Sequence, residues 1–336
     1  MQTSRLTLKA QMQDLKPGDI LSYSSGSHDR GPYGFRTIRP GGNLMALFAN
    51  RYPQVLQGFD GRVPMVINAY PACIGTFDFG ITVDSYLSHS TASRALHLAH
   101  LERYPVMLIG QPLYLADLLF RHLATNPVLP PTLLLVTGGY VMPRSLEMSL
   151  RQLIAAVTPR AAHGTTTLNL INGYGVAEVD AGCLWAMQRT PEGHLVYEPR
   201  SADVEVVLEG SDLLLSLRSP NGGYVVERFP TGDSGIAAQA IDGTPGYVIW
   251  NNERLHPNVL KILESWSFED WERRTGYLYY GREIRFQLRK GFEPKVGLEA
   301  EFHDYEKKYG HYWLFKPVWG RAQDSGREHP LRRTIM

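Results

Sequence analysis

Three short polar segments of the chain combine residue types that can bind a nucleotide. In the first, residues 24–31 (SSGSHDRG), small hydroxyl side chains surround a glycine and an arginine follows. A glycine lets the backbone approach closely, so N–H groups and hydroxyls can donate to phosphate oxygens while Arg30 adds positive charge. No Gly-Lys-Ser/Thr follows, which excludes a Walker phosphate loop. An ordinary turn has the same composition, and this alternative stays open.

The second segment, residues 172–178 (NGYGVAE), follows an apolar run that is typical of a buried strand. Ligands of open parallel sheets bind beyond the carboxyl ends of the strands, where this segment would lie. Its two glycines predict a tight bend that presents the ring of Tyr174 to a planar base. Glu178 has the carboxylate that commonly holds Mg²⁺ beside nucleotide phosphates. A glycine-rich turn with a solvated glutamate is the alternative.

The third segment is Thr231, Gly232 and Asp233, in a stretch with strand-like alternation. The ionised carboxylate of Asp233 can accept two hydrogen bonds from ribose hydroxyls, and such a contact is strong and orienting. Gly138 and Gly139 form a softer fourth element, because they end an apolar run and can bring backbone against a flat ring. Both motifs are also common turn signals.

The hydropathy pattern predicts the elements that must position these segments. Between residues 60 and 175, strand-like and helix-like segments alternate, which predicts an α/β fold with a mostly parallel sheet. The predicted strands are 20–23, 63–68, 106–110, 132–137 and 167–171, and the predicted helices are 43–57, 90–103, 112–123 and 145–157. After about residue 190, short alternating strands separated by turn residues predict an antiparallel, β-rich section. We therefore expect a layered α/β large domain at 1–280 and a small α+β lobe at 281–336.

Composition excludes several classes of partner and location. Lys plus Arg is 34 and Asp plus Glu is 33, so no strong field attracts nucleic acid or an anionic membrane. The chain has two cysteines, Cys73 and Cys183, which favours a reducing cytoplasm. No apolar run is long enough for a membrane helix, and the start has no apolar core of a signal peptide. We expect a cytoplasmic protein.

In their order along the chain, these segments resemble the adenylate-forming (AMP-binding) superfamily, nearest to its phenylacetate–CoA ligase-like branch. The resemblance runs from about residue 20 to 290 and includes the Asn-Ala-Tyr stretch at 68–70. It implies that Tyr174 and Gly175 contact adenine, Glu178 binds Mg²⁺ and Asp233 holds the ribose. The remaining nucleotide contacts that it implies are Ser24, Ser25, Gly26 and Ser27 on the phosphates, Gly138 and Gly139 on the adenine side, and Arg282 before a hinge.

The activity that this resemblance implies is ATP-dependent activation of a carboxylic acid as its acyl-adenylate. The acyl group would then pass to a thiol of coenzyme A or an acyl carrier protein. Arg30 and Glu178 would act on the phosphates, with Lys290 as the bridging lysine and Lys295 and Lys316 as alternatives. An apolar pocket for an aryl or medium-chain acid would be walled by Tyr70, Phe77, Phe79 and Tyr140.

Several departures from the family pattern keep other interpretations open. His28 and Asp29 replace a Thr-Gly pair, Ala177 replaces a threonine, and the region before the first loop is shorter than the family's. A nucleotide-binding protein of the same fold that has lost the chemistry is therefore one alternative. Another is an unrelated α/β enzyme such as a sugar-nucleotide transferase, and a third is an acyl-protein synthetase with Cys73 or Cys183 as acyl acceptor. A homodimer is expected, because a shortened fold leaves apolar surface that needs cover.

Overall fold

The computed structural model describes residues 20–23, 35–38, 51–69, 79–85, 88–157, 166–176, 179–219, 221–250 and 257–279. In these ranges the chain combines helices with one large sheet, so the predicted α/β class is confirmed. The described strands are β1 (Ile20–Tyr23), β2 (Phe35–Ile38), β3 (Met65–Asn68), β4 (Ile81–Asp84), β5 (Val106–Gly110), β6 (Thr132–Thr137), β7 (Thr167–Val176), β8 (Asp180–Arg189), β9 (Leu195–Pro199), β10 (Val204–Glu209), β11 (Asp212–Arg218), β12 (Tyr224–Gln239) and β13 (Pro245–Trp250).

The described helices begin where the sequence supplies a cap or a proline. They are α1 (Pro53–Phe59), α2 (His89–Leu101), α3 (Pro112–Thr125), α4 (Arg144–Val157), α5 (Pro257–Glu264) and α6 (Phe268–Tyr279). At α2 the Ser88 side chain accepts a hydrogen bond from the Thr91 N–H, and α1 and α3 carry proline in their first turn. None of the helices in the described ranges is long and apolar enough to cross a membrane.

Eleven strands form one continuous sheet in the order β10-β11-β12-β13-β9-β8-β7-β6-β5-β3-β4. From β4 to β7 the neighbours are parallel, and from β7 to β10 they are antiparallel. The predicted parallel part and the predicted β-rich part are therefore two sections of the same sheet. β1 and β2 pair separately.

The strand predicted at 167–171 extends to Val176, so the tight bend predicted from residue 172 onwards is wrong as far as Val176. β6 ends at Thr137, opposite Asn172, but β8 pairs with the last part of β7, with Tyr174 opposite Leu184. The backbone N–H and C=O groups of these residues therefore keep ladder partners, and the strand continues. Residues 43–50 of the helix predicted at 43–57 lie outside the described residues, and α1 covers the remainder from Pro53.

Buried side chains alternate between the two faces of the parallel section. Ile67 and Leu108 belong to a core that α2, α3 and α4 cover, whereas Val66 and Met107 belong to a core on the α1 side. This alternation follows from the two-residue period of a strand. Because both faces of the sheet are buried here, the sequences of these strands are continuous apolar runs.

Hydrogen bonds connect helices α5 and α6 to the first turn of α4. The Glu264 carboxylate accepts hydrogen bonds from the backbone N–H groups of Arg144 (2.7 Å) and Ser145 (2.9 Å), where a negative charge is favourable. The Ser145 hydroxyl donates to the Leu263 carbonyl at 2.7 Å and accepts from the Trp271 indole N–H at 3.1 Å. The segment 257–279 is thus packed onto the α4 side of the sheet.

A row of histidine contacts joins α2 to α3 and to the segment that follows α3. Its contacts are His89 Nε2 with Asp117 Oδ2 (2.8 Å), Ser93 Oγ with His122 Nδ1 (2.8 Å) and His100 Nδ1 with the Leu129 carbonyl (2.9 Å). The partners are 28 or 29 residues apart in each case, as expected when two helices run parallel after parallel strands. His122 Nε2 lies 3.0 Å from the Val128 carbonyl, which only accepts, so Nε2 carries the hydrogen and Nδ1 accepts from Ser93.

We expect His122 to make the protein less stable below neutral pH. Burial lowers the pKa of His122 from its ordinary value of 6.5, and nearby His97 and His100 act in the same direction, against the Val128 hydrogen bond. The unfolded chain therefore binds the proton more readily, and stability is lost as pH falls below about 6.5. In urea titrations between pH 5 and 7.5, His122→Gln should flatten this slope by at most about 1.4 kcal/mol per pH unit, the limit for one proton.

The matched control for this titration is Ser93→Ala. This variant removes the hydroxyl partner but keeps the buried ring, so it should lower stability by about 1 kcal/mol at every pH and retain the slope. An unchanged slope in His122→Gln would contradict the assignment.

Candidate functional site

The candidate site lies where the parallel section of the sheet meets the antiparallel section. Here the Thr137 hydroxyl at the end of β6 donates to Asn172 Oδ1 on β7 at 2.7 Å. Both side chains are 2% exposed, and Asn172 Nδ2 has no hydrogen-bond partner in the described part of the chain. A buried amide donor without a partner costs free energy, so this group is suited to an acceptor on a ligand.

Two of the predicted nucleotide segments come together at this site. The Tyr174 hydroxyl donates to Asp233 Oδ2 at 2.8 Å, although the residues are 59 positions apart. Tyr174 as a whole residue is 6% exposed, and its ring packs edge-on against Tyr197, with ring centroids 6.0 Å apart. Burial and the Asp233 charge raise the pKa of Tyr174 well above 10, so the phenol is a permanent donor.

A bulge in β12 turns Asp233 toward Tyr174. Pro230 lies opposite Leu214, and Ser234 lies opposite Asp212, so β12 has two residues more than β11 between these pairs. A bulge that holds extra residues bends the strand and redirects a side chain.

The residues of the Thr-Gly-Asp motif, Thr231 to Asp233, stabilise the backbone of this bulge. Gly232 has φ +78°, a conformation that glycine adopts without penalty. The Thr231 hydroxyl accepts from the Asp233 N–H (3.1 Å) and donates to the Leu213 carbonyl (2.8 Å). Thr231 therefore holds the backbone on which the carboxylate is mounted.

A second bulge, in β8, lies opposite Gly175. Tyr174 pairs with Leu184 and Val176 pairs with Asp180, so β8 also has two extra residues, with Gly182 at φ +70°. A Cβ on Gly175 would lie 2.4 Å from the Asp180 carbonyl oxygen and 2.6 Å from the Gly182 nitrogen. Gly175 is therefore required by backbone approach, in addition to the ligand contact predicted for it.

Cys183 stands beside Tyr174 in the same core and has no exposed surface. Its thiol donates to the Asp180 carbonyl at 3.0 Å, and the Arg200 N–H donates to the Cys183 carbonyl at 2.9 Å. Arg200 also pairs with the Asp180 carboxylate at 2.8 Å. The buried thiol is not placed to accept an acyl group in this conformation.

The two glycines predicted on the adenine side lie next to the site. The Gly138 N–H donates to the Gly110 carbonyl at 3.2 Å, and Gly139 has φ +93°. Val141, two residues further, packs against the core that contains Tyr174. The loop after β6 therefore borders the core that contains Tyr174.

The two pocket residues in the described ranges are not brought together. Tyr140 belongs to the core on the α2–α4 side, where its hydroxyl accepts from the Leu113 N–H at 3.1 Å in the first turn of α3. Phe79 packs against the core on the α1 side. Tyr140 and Phe79 therefore belong to cores on different sides of the sheet, and the Tyr140 hydroxyl caps α3.

All three predicted catalytic residues, five of the predicted nucleotide contacts and two of the predicted pocket residues lie outside the described residues. These are Ser24, Ser25, Gly26, Ser27, Arg30, Tyr70, Phe77, Glu178, Arg282 and Lys290. Their assignments stay predictions. In the described ranges, no three His, Cys, Asp or Glu side chains are arranged to hold a metal ion.

Sequence reasoning did not select Asn172 or Thr231, which stand inside the quoted motifs. The signal for Asn172 was an amide at the end of an apolar run, where burying a polar group costs free energy unless the group has a hydrogen-bond partner.

No family model matches the chain, and no curated protein matches it significantly. The fold and the site define a mixed α/β protein with a buried tyrosine–aspartate contact where the two sheet sections meet.

Proposed function

We propose that this chain is an adenylate-forming ligase, which binds ATP and activates a carboxylic acid as its acyl-adenylate. The observation that supports this function best is the 2.8 Å hydrogen bond between Tyr174 and Asp233. Two motifs that were selected independently as base-side and ribose-side contacts are joined by it. Chance turn motifs have no reason to meet in this way.

The buried amide of Asn172 gives a second, independent support. Its Nδ2 group has no partner among the described residues, and such a donor costs about 1 to 3 kcal/mol when buried. The ring nitrogens of a purine are acceptors that would satisfy it. The position of Asn172, two residues before Tyr174 on β7, fits a base beside a ribose held by Asp233.

Formation of the acyl-adenylate depends on positioning the two reactants and neutralising the phosphate charge, and it does not depend on a general base. A carboxylate oxygen of the acid attacks the α-phosphorus of ATP, a C–O–P linkage forms, and the bond to pyrophosphate breaks. The nucleophile is already ionised, so no proton must be removed. Arg30, Lys290 and a Mg²⁺ ion on Glu178 would neutralise the phosphate charge, and a thiol of coenzyme A or a carrier protein would take the acyl group.

The place for the acid follows from the strand order. The chain order reverses between β3 and β5, and ligands of open sheets bind at the carboxyl ends beside such a reversal. In the sequence Tyr70 follows the end of β3 by two residues, which supports an apolar pocket beside this point. We propose that helices cover this sheet in layers and that residues 281–336 form a C-terminal lobe. We also propose that the protein is a dimer in the cytoplasm.

Asp233→Asn should weaken ATP binding about 10- to 100-fold in calorimetric titrations with Mg²⁺. The amide keeps the shape but loses the charge, and hydrogen bonds to an ionised acceptor are about twice as strong as neutral ones. Asp242→Asn is the matched control, because Asp242 is exposed in the turn after β12 and accepts from the Thr244 N–H. Six residues of strand, ~20 Å, separate Asp233 from the end of β12. Equal affinity in both variants would count against the ribose assignment.

ATP–pyrophosphate exchange over a panel of aryl and fatty acids tests the complete proposal. Exchange with one acid supports the ligase. ATP binding without exchange would instead support a nucleotide-binding protein that has lost the chemistry, which Ala177 and Asp29 motivate. Absence of ATP binding by the wild-type protein would reject both functions.

A further inference from the structure

Two asparagine–glycine pairs of the chain lie in opposite environments. Asn172 and Gly173 belong to β7, whereas Asn221 and Gly222 lie in the turn between β11 and β12. Asn172 is 2% exposed, and Gly173 is paired with Trp185 on β8. Asn221 and Gly222 are both exposed. The same dipeptide therefore occurs once in the core and once at the surface.

The exposed pair has open space around it and few contacts. No heavy atom lies within 4 Å of a Cβ built on Gly222 or on Gly223. The Asn221 N–H donates to the Ser219 hydroxyl at 3.3 Å, and the Asn221 side-chain amide makes no hydrogen bond within the described part of the chain. The Gly222 N–H donates to the Ser219 carbonyl at 2.9 Å. Opening this exposed turn frees the Gly222 nitrogen without separating the buried parts of β11 and β12, so it costs little free energy.

We propose that Asn221 is a site of spontaneous deamidation, in which the Gly222 nitrogen attacks the amide carbon of the Asn221 side chain. The new C–N bond closes a succinimide ring, and the side-chain nitrogen leaves as ammonia with the proton of the Gly222 N–H. Water then opens the ring at either carbonyl and gives aspartate or isoaspartate. Gly222 favours the attack because it has no Cβ to obstruct its own nitrogen. The reaction needs no nucleotide, so this inference is independent of the proposed ligase function.

The buried pair is protected from the same reaction by the sheet. Ring closure requires the backbone of Asn172 to rotate out of the extended conformation, and the pairing of β7 with β6 and β8 prevents this rotation. The Asn172 side chain is also held by the Thr137 hydroxyl at 2.7 Å. Asn172 is therefore an internal control for Asn221, with the same following residue.

Deamidation at Asn221 changes both the charge and the backbone of the turn. One added carboxylate takes the formal net charge at pH 7 from +1 to zero. In the isoaspartate product the chain passes through the side-chain carbon, so the bond from Gly222 to Ser219 loses its geometry and an α-carboxylate becomes free. The class of enzyme that recognises this free carboxylate is an isoaspartyl O-methyltransferase, which the exposed turn can reach.

Mass spectrometry of tryptic peptides tests the proposal. Trypsin releases residues 219–228, in which Asn221 is the only asparagine. When the folded protein is incubated at pH 8, Asn221 should deamidate at least about ten-fold faster than Asn172, because the core strand opens far less often than the turn. In guanidinium chloride the two rates should become similar. Asn221→Gln should abolish the reaction at this turn, because glutamine must close a larger, less favourable ring.

A methylation assay identifies the product. Incubated wild-type protein should accept labelled methyl groups from S-adenosylmethionine and an isoaspartyl O-methyltransferase. Freshly purified Asn221→Asp is the matched control, because it has the same added charge in an ordinary peptide linkage and should accept far fewer. Equal rates at Asn172 and Asn221 in the folded protein would overturn the inference. It would also be overturned by a folded protein in which Asn221 stays intact while the unfolded chain deamidates at both positions.

Discussion

Replacing Gly175 with alanine is expected to destabilise the protein by about 3 kcal/mol or more, because the new methyl group has no room. Its Cβ would lie 2.4 Å from the Asp180 carbonyl oxygen and 2.6 Å from the Gly182 nitrogen, and both are backbone atoms that cannot rotate away. The strands β7 and β8 must then separate at the bulge. Tyr174 is adjacent, so the contact with Asp233 should be disturbed together with the fold.

Gly223→Ala is the matched control for this substitution. No heavy atom lies within 4 Å of a Cβ built on Gly223, and its backbone is not in the left-handed region. Its change should stay within about 0.5 kcal/mol of the wild type. Urea denaturation followed by far-UV circular dichroism measures both variants, and a Gly175→Ala protein as stable as Gly223→Ala would contradict the bulge geometry.

Trp271→Ala is expected to cost about 3 to 5 kcal/mol of unfolding free energy, the range for removing a large buried aromatic side chain. Trp271 has no exposed surface and packs edge-on against Trp266, with ring centroids 4.8 Å apart. Its indole N–H also donates to the Ser145 hydroxyl. The truncation removes both the apolar cover of the α3–α4 side and one anchor of α6.

Two further variants separate the packing of the Trp271 ring from its hydrogen bond and provide an exposed control. Trp271→Phe keeps an aromatic ring and loses the N–H, so most of the packing should survive, with a further cost of about 1 kcal/mol for the hydroxyl contact. Arg273→Ala, two residues further on α6, alters a side chain that is 60% exposed and should cost under about 0.5 kcal/mol. If Trp271→Ala behaved like Arg273→Ala, α6 would not be packed onto the sheet as described.

Most of the parallel section could be predicted closely because its signals are local, whereas the short, partly exposed strand β4 was not predicted. The run Thr132–Thr137 (TLLLVT) is almost wholly apolar, and the strand has these bounds in the structure. Pro112 likewise marks the start of α3 at its first residue, and α2 begins at His89, one residue before the predicted start at residue 90. Short-range hydrophobic periodicity and capping are readable without knowledge of the partners.

The candidate site was predictable as a set of residue types but not as an arrangement. Tyr174 and Asp233 were selected, yet nothing in their neighbourhoods specifies that they meet. Their contact depends on the extension of β7 along β8 and on the two extra residues of β12. Register and bulges are set by pairing with distant strands, so a single segment does not reveal them.

The amino-acid sequence by itself determined the α/β class and the order of strands and helices from residue 63 to 157, with the exception of β4, which was not predicted. Only the tertiary structure decided that the two predicted sections share one sheet and that α5 and α6 dock on α4. It also decided that the Tyr174 ring is buried with its hydroxyl on Asp233. The physical reason is that apolar periodicity acts over a few residues, whereas strand pairing, burial and side-chain contacts join residues many dozens of positions apart.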